Sequence, residues 1–267
     1  MSKDQIKEFK KFGYFDPQTS HGNVQMNYQQ MVSGFPVGIV YIDDTNYPMV
    51  PGNVNNASSY DFPVILRTIP NMTQERVFAG DPTIADDIIA MGQYLIQKEG
   101  IRALSSGCGF FGNFQKEVAA ALDIPVAMSP LVMIPWIRRL IKPNQKIGVL
   151  TANAGALTDK LFDAVGVSQE DREMIIIRDL YSEPEFSCIM TYRGFFDNDG
   201  VCSEVVGKAM EIMEEDAEIG AFLLECSDMP PYAYAIQAAT QRPVFDFISM
   251  IKFLKMSVTQ KAYCGWI

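Results

Sequence analysis

The chain has 267 residues, 48% of them hydrophobic, and a formal net charge of −10. That is enough apolar material for a sizeable core in one large or two modest domains. The acidic balance argues against non-specific nucleic-acid binding, which needs clustered Lys and Arg, but it leaves room for a locally electropositive site that takes an anion.

Along the chain, short apolar runs alternate with amphipathic ones. Strands are predicted at Gly38–Asp43, Phe62–Thr68, Ile101–Ser106, Pro125–Ser129, Lys146–Thr151, Met174–Arg178, Ala221–Glu225 and Pro243–Phe247. Several are near-continuous Val, Ile and Leu, as strands buried on both faces should be. Helices are predicted at Thr83–Glu99, Asn113–Leu122, Leu131–Ile141, Gly155–Val165, Ser203–Ala217, Pro231–Thr240 and Phe247–Lys261. Asp81 is the expected N-cap of the first, with Pro82 in its first turn. Alternation of this kind predicts an α/β fold with parallel sheets.

The opening segment, Met1 to Lys11, is charged throughout and lacks the apolar core of a secretory signal. No stretch approaches the roughly 18 apolar residues of a membrane span. A cytoplasmic protein with no membrane partner is expected. The first 30 or so residues show little periodicity and are expected to form an arm or a contact between copies in a homo-oligomer.

Two segments read as copies of one another. Ala103-Leu-Ser-Ser-Gly-Cys108 leads through a helical run to Ile124-Pro125-Val126, and Ala221-Phe-Leu-Leu-Glu-Cys226 leads to Arg242-Pro243-Val244. Cysteine and proline stand 17 residues apart in both copies. Gly38-Ile-Val-Tyr-Ile-Asp43 likewise resembles Gly148-Val-Leu-Thr-Ala-Asn153. A duplication implies two similar half-structures, each with a four-stranded sheet. The first domain is expected to comprise residues 1–131 plus 244–267, and the second residues 132–243, with the last helix returning to the first domain.

Each cysteine sits where a strand ends and a turn leads into a helix. Ligands bind beyond such strand ends, and the free N–H groups and dipole of the helix favour both a thiolate and a carboxylate. If the halves face each other, Cys108 and Cys226 meet across one cleft. Cys188, Cys202 and Cys264 lack this context. The loops after the opening strands would border the same cleft, which makes Asp44, Thr151 and Asn153 candidates for orienting a substrate. Ser106, beside the first cysteine, is a weaker one.

Five widely spaced cysteines without a Cys-x-x-Cys, and a single histidine, His21, leave little material for a zinc site or a Ser-His-Asp triad. Gly107-Cys-Gly-Phe-Phe-Gly112 matches the dinucleotide pattern. The next predicted strand, however, ends in Met128-Ser129-Pro130 without the acid that a dinucleotide's ribose needs. No cofactor and no metal are expected.

Ser-Ser-Gly-Cys-Gly-Phe and Leu-Leu-Glu-Cys-Ser-Asp-Met-Pro-Pro-Tyr resemble the two cysteine motifs of the aspartate/glutamate racemase superfamily. That group also includes hydantoin racemases, maleate isomerases and arylmalonate decarboxylases. The similarity runs from about Gly34 to Met250. The resemblance implies two pseudo-symmetric α/β domains with the active site between them, no cofactor, and Cys108 and Cys226 as paired acid/base thiols. It places Thr151 and Asn153 beside a substrate carboxylate. Gly109 and Phe110, then Ser227 and Asp228, stand where amino-acid racemases commonly carry Asn-Thr and Thr-Glu, so recognition there is expected to differ.

The expected function is a cofactor-independent racemase or epimerase of an amino acid or related small carboxylate. One thiolate removes the α-proton and the other thiol protonates the opposite face. Two alternatives stay open. One is a maleate-isomerase-like cis–trans isomerisation through a covalent cysteine. The other is a small-carboxylate-binding protein without turnover.

Overall fold

The computed structural model describes residues 29–267 together with Phe15 and Gln18. His21 and most of the expected N-terminal arm lie outside the described residues.

Eight strands form two separate four-stranded parallel sheets. β1 (Val37–Tyr41), β2 (Val64–Thr68), β3 (Ala103–Ser106) and β4 (Val126–Ala127) lie in the order β2-β1-β3-β4. β5 (Lys146–Thr151), β6 (Ile175–Asp179), β7 (Ile219–Leu224) and β8 (Val244–Phe245) lie in the order β6-β5-β7-β8. The two orders are the same pattern repeated, as the duplication requires.

The repeat extends to register. Gly38 in β1 pairs with Leu104 in β3, and Gly148 in β5 pairs with Phe222 in β7. Each partner stands four residues before its cysteine. Both glycines sit where a Cβ would crowd neighbouring side chains. A Cβ on Gly38 would lie 2.9 Å from Ile101 Cδ1, and one on Gly148 would lie 2.6 Å from Phe222 Cε1.

Helices flank both sheets. Ile84–Tyr94 and Phe247–Val258 pack on the first, and the final helix touches β1, β3 and β4. Asn198–Glu215 packs on the second along β5, β6 and β7. The final helix starts on a reciprocal cap: Asp246 accepts from the Ser249 N–H, while Ser249 Oγ accepts from the Asp246 N–H. No helix among the described residues is long and apolar enough to cross a membrane.

Several predicted boundaries change. Asp81 does not cap the long helix, which begins behind Thr83. Asp81 instead accepts from the Thr83 N–H and hydroxyl and pairs with Arg76, as a short polar side chain does in a turn. The predicted Thr83–Glu99 helix widens to a π-turn over Leu95–Glu99 and stops at Gly100, φ 67°. The helix Gln74–Ala79 is an addition to those predicted. Thr73 caps it by accepting from the Arg76 N–H, and Gly80 in the left-handed region ends it.

Candidate active site

Cys108 and Cys226 follow the third strand of their sheets and line one cavity at the seam between the halves, about 330 Å³ of empty volume partly open to solvent. The first half contributes Tyr47, Gln74, Gly109 and Phe110. The second contributes Ala152, Glu225, Ser227 and Asp228. The site therefore lies beyond the carboxyl ends of both sheets, where parallel α/β folds bind ligands.

Both thiols are pushed well above their ordinary pKa. For Cys108 the main cause is burial, reinforced by Glu225 and then by Asp228 and Asp44, while the Phe110 peptide N–H works against the shift. For Cys226 burial again leads, followed by Asp228 and Glu225. Cys108 keeps partial exposure, whereas Cys226 is buried. The Cys226 thiol lies 3.5 Å from Asp228 Oδ2 and donates to it.

Asp228 is the polar hub. It accepts from the Tyr47 hydroxyl at 3.2 Å, from the Ser227 hydroxyl at 3.3 Å and from the Asn53 side-chain amide. Burial raises its pKa, and these donors oppose the rise. Tyr47 is pushed up by burial and by Asp228.

Glu225 is fully buried. Its Oε2 accepts from Thr151 Oγ1 at 2.8 Å, and its Oε1 has no hydrogen-bond partner. Burial lifts its pKa from an ordinary 4.5 to about 7, against the pull of Thr151.

A second pocket adjoins the first and shares Tyr47 and Asp228 with it. Phe186, Phe196, Tyr232 and Cys188 line it. Cys188, whose sequence context gives no reason to pick it out, is thus beside the site, with its thiol pushed up to about 11 mainly by burial. Among the described residues, no Lys or Arg lines either pocket. No three His, Cys, Asp or Glu side chains among the described residues are grouped to hold a metal ion.

The structure brings Cys108, Cys226, Gly109, Phe110, Ser227 and Asp228 together. The other predicted candidates are not among the residues that line the cavity. Ser106 is buried and donates to the Met128 carbonyl at 2.5 Å, tying β3 to the segment after β4. Thr151 is buried and spends its hydroxyl on Glu225. Asn153 caps the short turn of helix at Ala154–Ala156 by accepting from the Gly155 N–H. Asp44 accepts from the Gln74 N–H and from the Tyr192 hydroxyl, which holds the Gln74–Ala79 helix. Sequence reasoning alone misses Tyr47, Glu225, Gln74 and Asn53 as site residues. Only Glu225 carries a visible signal, an acid closing an otherwise apolar strand directly before a motif cysteine.

No family model matches the chain. Among solved structures, allantoin racemase from Klebsiella pneumoniae superposes with a TM-score of 0.61 at 15% identity, covering 83% of this chain and 87% of that one. Unliganded arylmalonate decarboxylase superposes with a TM-score of 0.51 at 11% identity, covering 83% and 91%. The chain shares the two-domain α/β fold of these enzymes.

Its sequence relatives carry a different activity. A dimethylsulfoniopropionate lyase of Durusdinium sp. clade D is 29% identical over 222 residues, 81% of this chain and 73% of that protein. Dimethylsulfoniopropionate lyase 7 of Emiliania huxleyi is 30% identical over 229 residues, 82% of this chain and 66% of that protein. Dimethylsulfoniopropionate lyase 3 of the same organism is 28% identical and is spanned over 61% of its length.

These names support an enzyme and overturn the racemase expectation; they equally displace the isomerase and binder alternatives. The physical reason lies in what the motifs encode. Two strand-end thiols read, from sequence, as taking a proton next to a carboxylate. Whether the carbanion is reprotonated or expels a group depends on the substrate, which the motifs do not specify.

Proposed function

We propose that this chain is a lyase that cleaves dimethylsulfoniopropionate, or a closely similar β-sulfonio carboxylate, by elimination. The observation that carries this reading is the charge of the cavity. Glu225 and Asp228 line it, Asp44 also acts on Cys108, and no Lys or Arg among the described residues lines it. The second carboxylate of an amino acid such as aspartate would enter against like charges with no Lys or Arg among the described residues to pair with, which is costly in a buried site. A substrate with a permanent cation fits. The adjoining aromatic pocket, with Asp228 at its edge, suits a sulfonium through ring faces and a carboxylate. The substrate carboxylate falls to the peptide N–H groups of the turns after the two cysteines.

The chemistry needs one base. Cys108, as thiolate, takes the proton from the carbon beside the carboxylate. That C–H electron pair becomes the carbon–carbon double bond, and the C–S bond breaks with its pair on sulfur. Acrylate and neutral dimethyl sulfide result, and the proton on Cys108 passes to solvent. Both thiolates have a peptide N–H to stabilise them, that of Phe110 for Cys108 and that of Asp228 for Cys226, and Cys108 is favoured as base because it is the more exposed thiol. The proton of Cys226 is engaged by Asp228. Cys226 holds the opposite wall.

Purified protein incubated with dimethylsulfoniopropionate and sampled by headspace gas chromatography tests the reading. Dimethyl sulfide should accumulate with wild-type protein and not with Cys108→Ser. Equal release from both would refute the assignment of the base, and no release from wild type would refute the lyase.

A further inference from the structure

Glu225 is unusual in three respects. It is a buried carboxyl in a cavity that no Lys or Arg lines. Among the described residues, one of its oxygens is satisfied by Thr151 and the other has no partner. Its carboxyl also reaches the turn of the other cysteine: a Cβ placed on Gly109 would lie 2.0 Å from Glu225 Oε1. Glu225 is therefore adjacent in sequence to Cys226 and in space to the residue after Cys108.

A buried anion without a cation disfavours a second anion nearby, because the low local dielectric leaves their repulsion poorly screened. The acidic groups that face this carboxyl are Cys226 and Asp228 from its own turn, Cys108 from the turn after β3 and Tyr47 from the loop after β1. Thr151 on β5 is its one donor.

We propose that Glu225 caps the ionisation of Cys108, so that the two groups together carry no more than one negative charge. Below the pH at which the carboxyl ionises, each step up in pH increases the Cys108 thiolate. Above it, the proton released comes from Glu225, and the thiolate population stops rising. A thiolate formed on Cys108 in that range is matched by a proton on Glu225, written as thiol plus carboxylate giving thiolate plus carboxylic acid. Glu225 is a positioning residue here, acting on substrate through the thiol. Burial places the turning point near pH 7. The inference concerns the thiols alone and stands or falls apart from the substrate assignment.

The test measures alkylation of Cys108 by iodoacetamide from pH 5 to 10, resolved from the other cysteines by peptide mass spectrometry, since the thiolate is the reacting form. The wild-type rate should rise about tenfold per pH unit and level off near pH 7. Glu225→Gln should follow the same line below pH 7 and keep rising above it, reaching on the order of 100-fold faster alkylation by pH 9. Thr151→Val removes the donor that favours the carboxylate, so its levelling-off should move to higher pH while Glu225 is retained. Melting curves check that each variant is folded. If the Glu225→Gln and Thr151→Val profiles both overlay the wild type, Glu225 does not govern the thiol and the proposal fails.

Discussion

Gly109 leaves the space that Glu225 occupies. A Cβ on Gly109 would lie 2.0 Å from Glu225 Oε1 and 2.5 Å from the Glu225 main-chain oxygen. The side chain could swing away, but the peptide oxygen belongs to the end of β7 and cannot. The residue after the first cysteine is thus small because the second half of the molecule reaches it.

Gly109→Ala should therefore destabilise by about 1–3 kcal/mol, the usual range for overpacking a close contact, and cut turnover by displacing the Cys108 turn. Gly207→Ala is the control. A Cβ there meets nothing within 4 Å, and Gly207 lies inside the helix Asn198–Glu215. That change should stabilise by about 0.5–1 kcal/mol through helix propensity. Thermal melting of both variants checks the contrast.

Glu225 also makes stability depend on pH. Its folded pKa of about 7 lies above its ordinary 4.5, so the folded state holds its proton more tightly than the unfolded chain. The cost of burying the carboxyl is absent below about pH 4.5, grows as pH rises, and is complete above pH 7. A shift of that size corresponds to about 3 kcal/mol. Glu225→Gln should melt higher than wild type at pH 8, and the gap should close toward pH 5. A gap that widens on acidification would reverse the sign argued here.

The two cysteines should behave unequally, because elimination moves one proton where racemisation moves it off and back. Cys108→Ser is expected to lower kcat by at least about 10²-fold. Cys226→Ser keeps a hydroxyl able to donate to Asp228 and should retain most activity. Steady-state kinetics of the two single variants decide this. Equal and complete loss in both would point back to a two-base site.

Asp228 is expected to hold the sulfonium end. Asp228→Asn should raise KM for dimethylsulfoniopropionate by about tenfold or more, as loss of a charged partner does. The neutral isostere 4-methylpentanoate replaces the sulfonium by a carbon and keeps the carboxylate. Its inhibition constant should change little. A parallel change in both would mean that Asp228 shapes the pocket without reading charge.

The paired cysteine motifs and the doubled sheet order were legible because each rests on local chemistry: strand, turn and helix at matched spacing. Glu225 was visible but ambiguous, since a strand-ending acid next to a turn is ordinary. Tyr47 was not legible as a site residue, because its partner Asp228 is 181 positions away in the chain. Thr151 was legible by its loop but not by its role, because its hydroxyl serves a buried carboxyl that only tertiary packing brings to it. The helix Gln74–Ala79 is only six residues, too short for periodicity to speak, and only its caps mark it. The reaction itself was illegible for a related reason. In the proposed elimination the thiol supplies only the base, while the leaving group would be selected by a cavity assembled from both halves.

The most direct test is a single NMR experiment in deuterated water with purified protein, offering dimethylsulfoniopropionate and L-aspartate in parallel tubes. Vinyl signals of acrylate and the methyl signal of dimethyl sulfide are expected in the first tube, and an unchanged α-proton in the second. Deuterium entering aspartate, with no acrylate from the sulfonium compound, would contradict it.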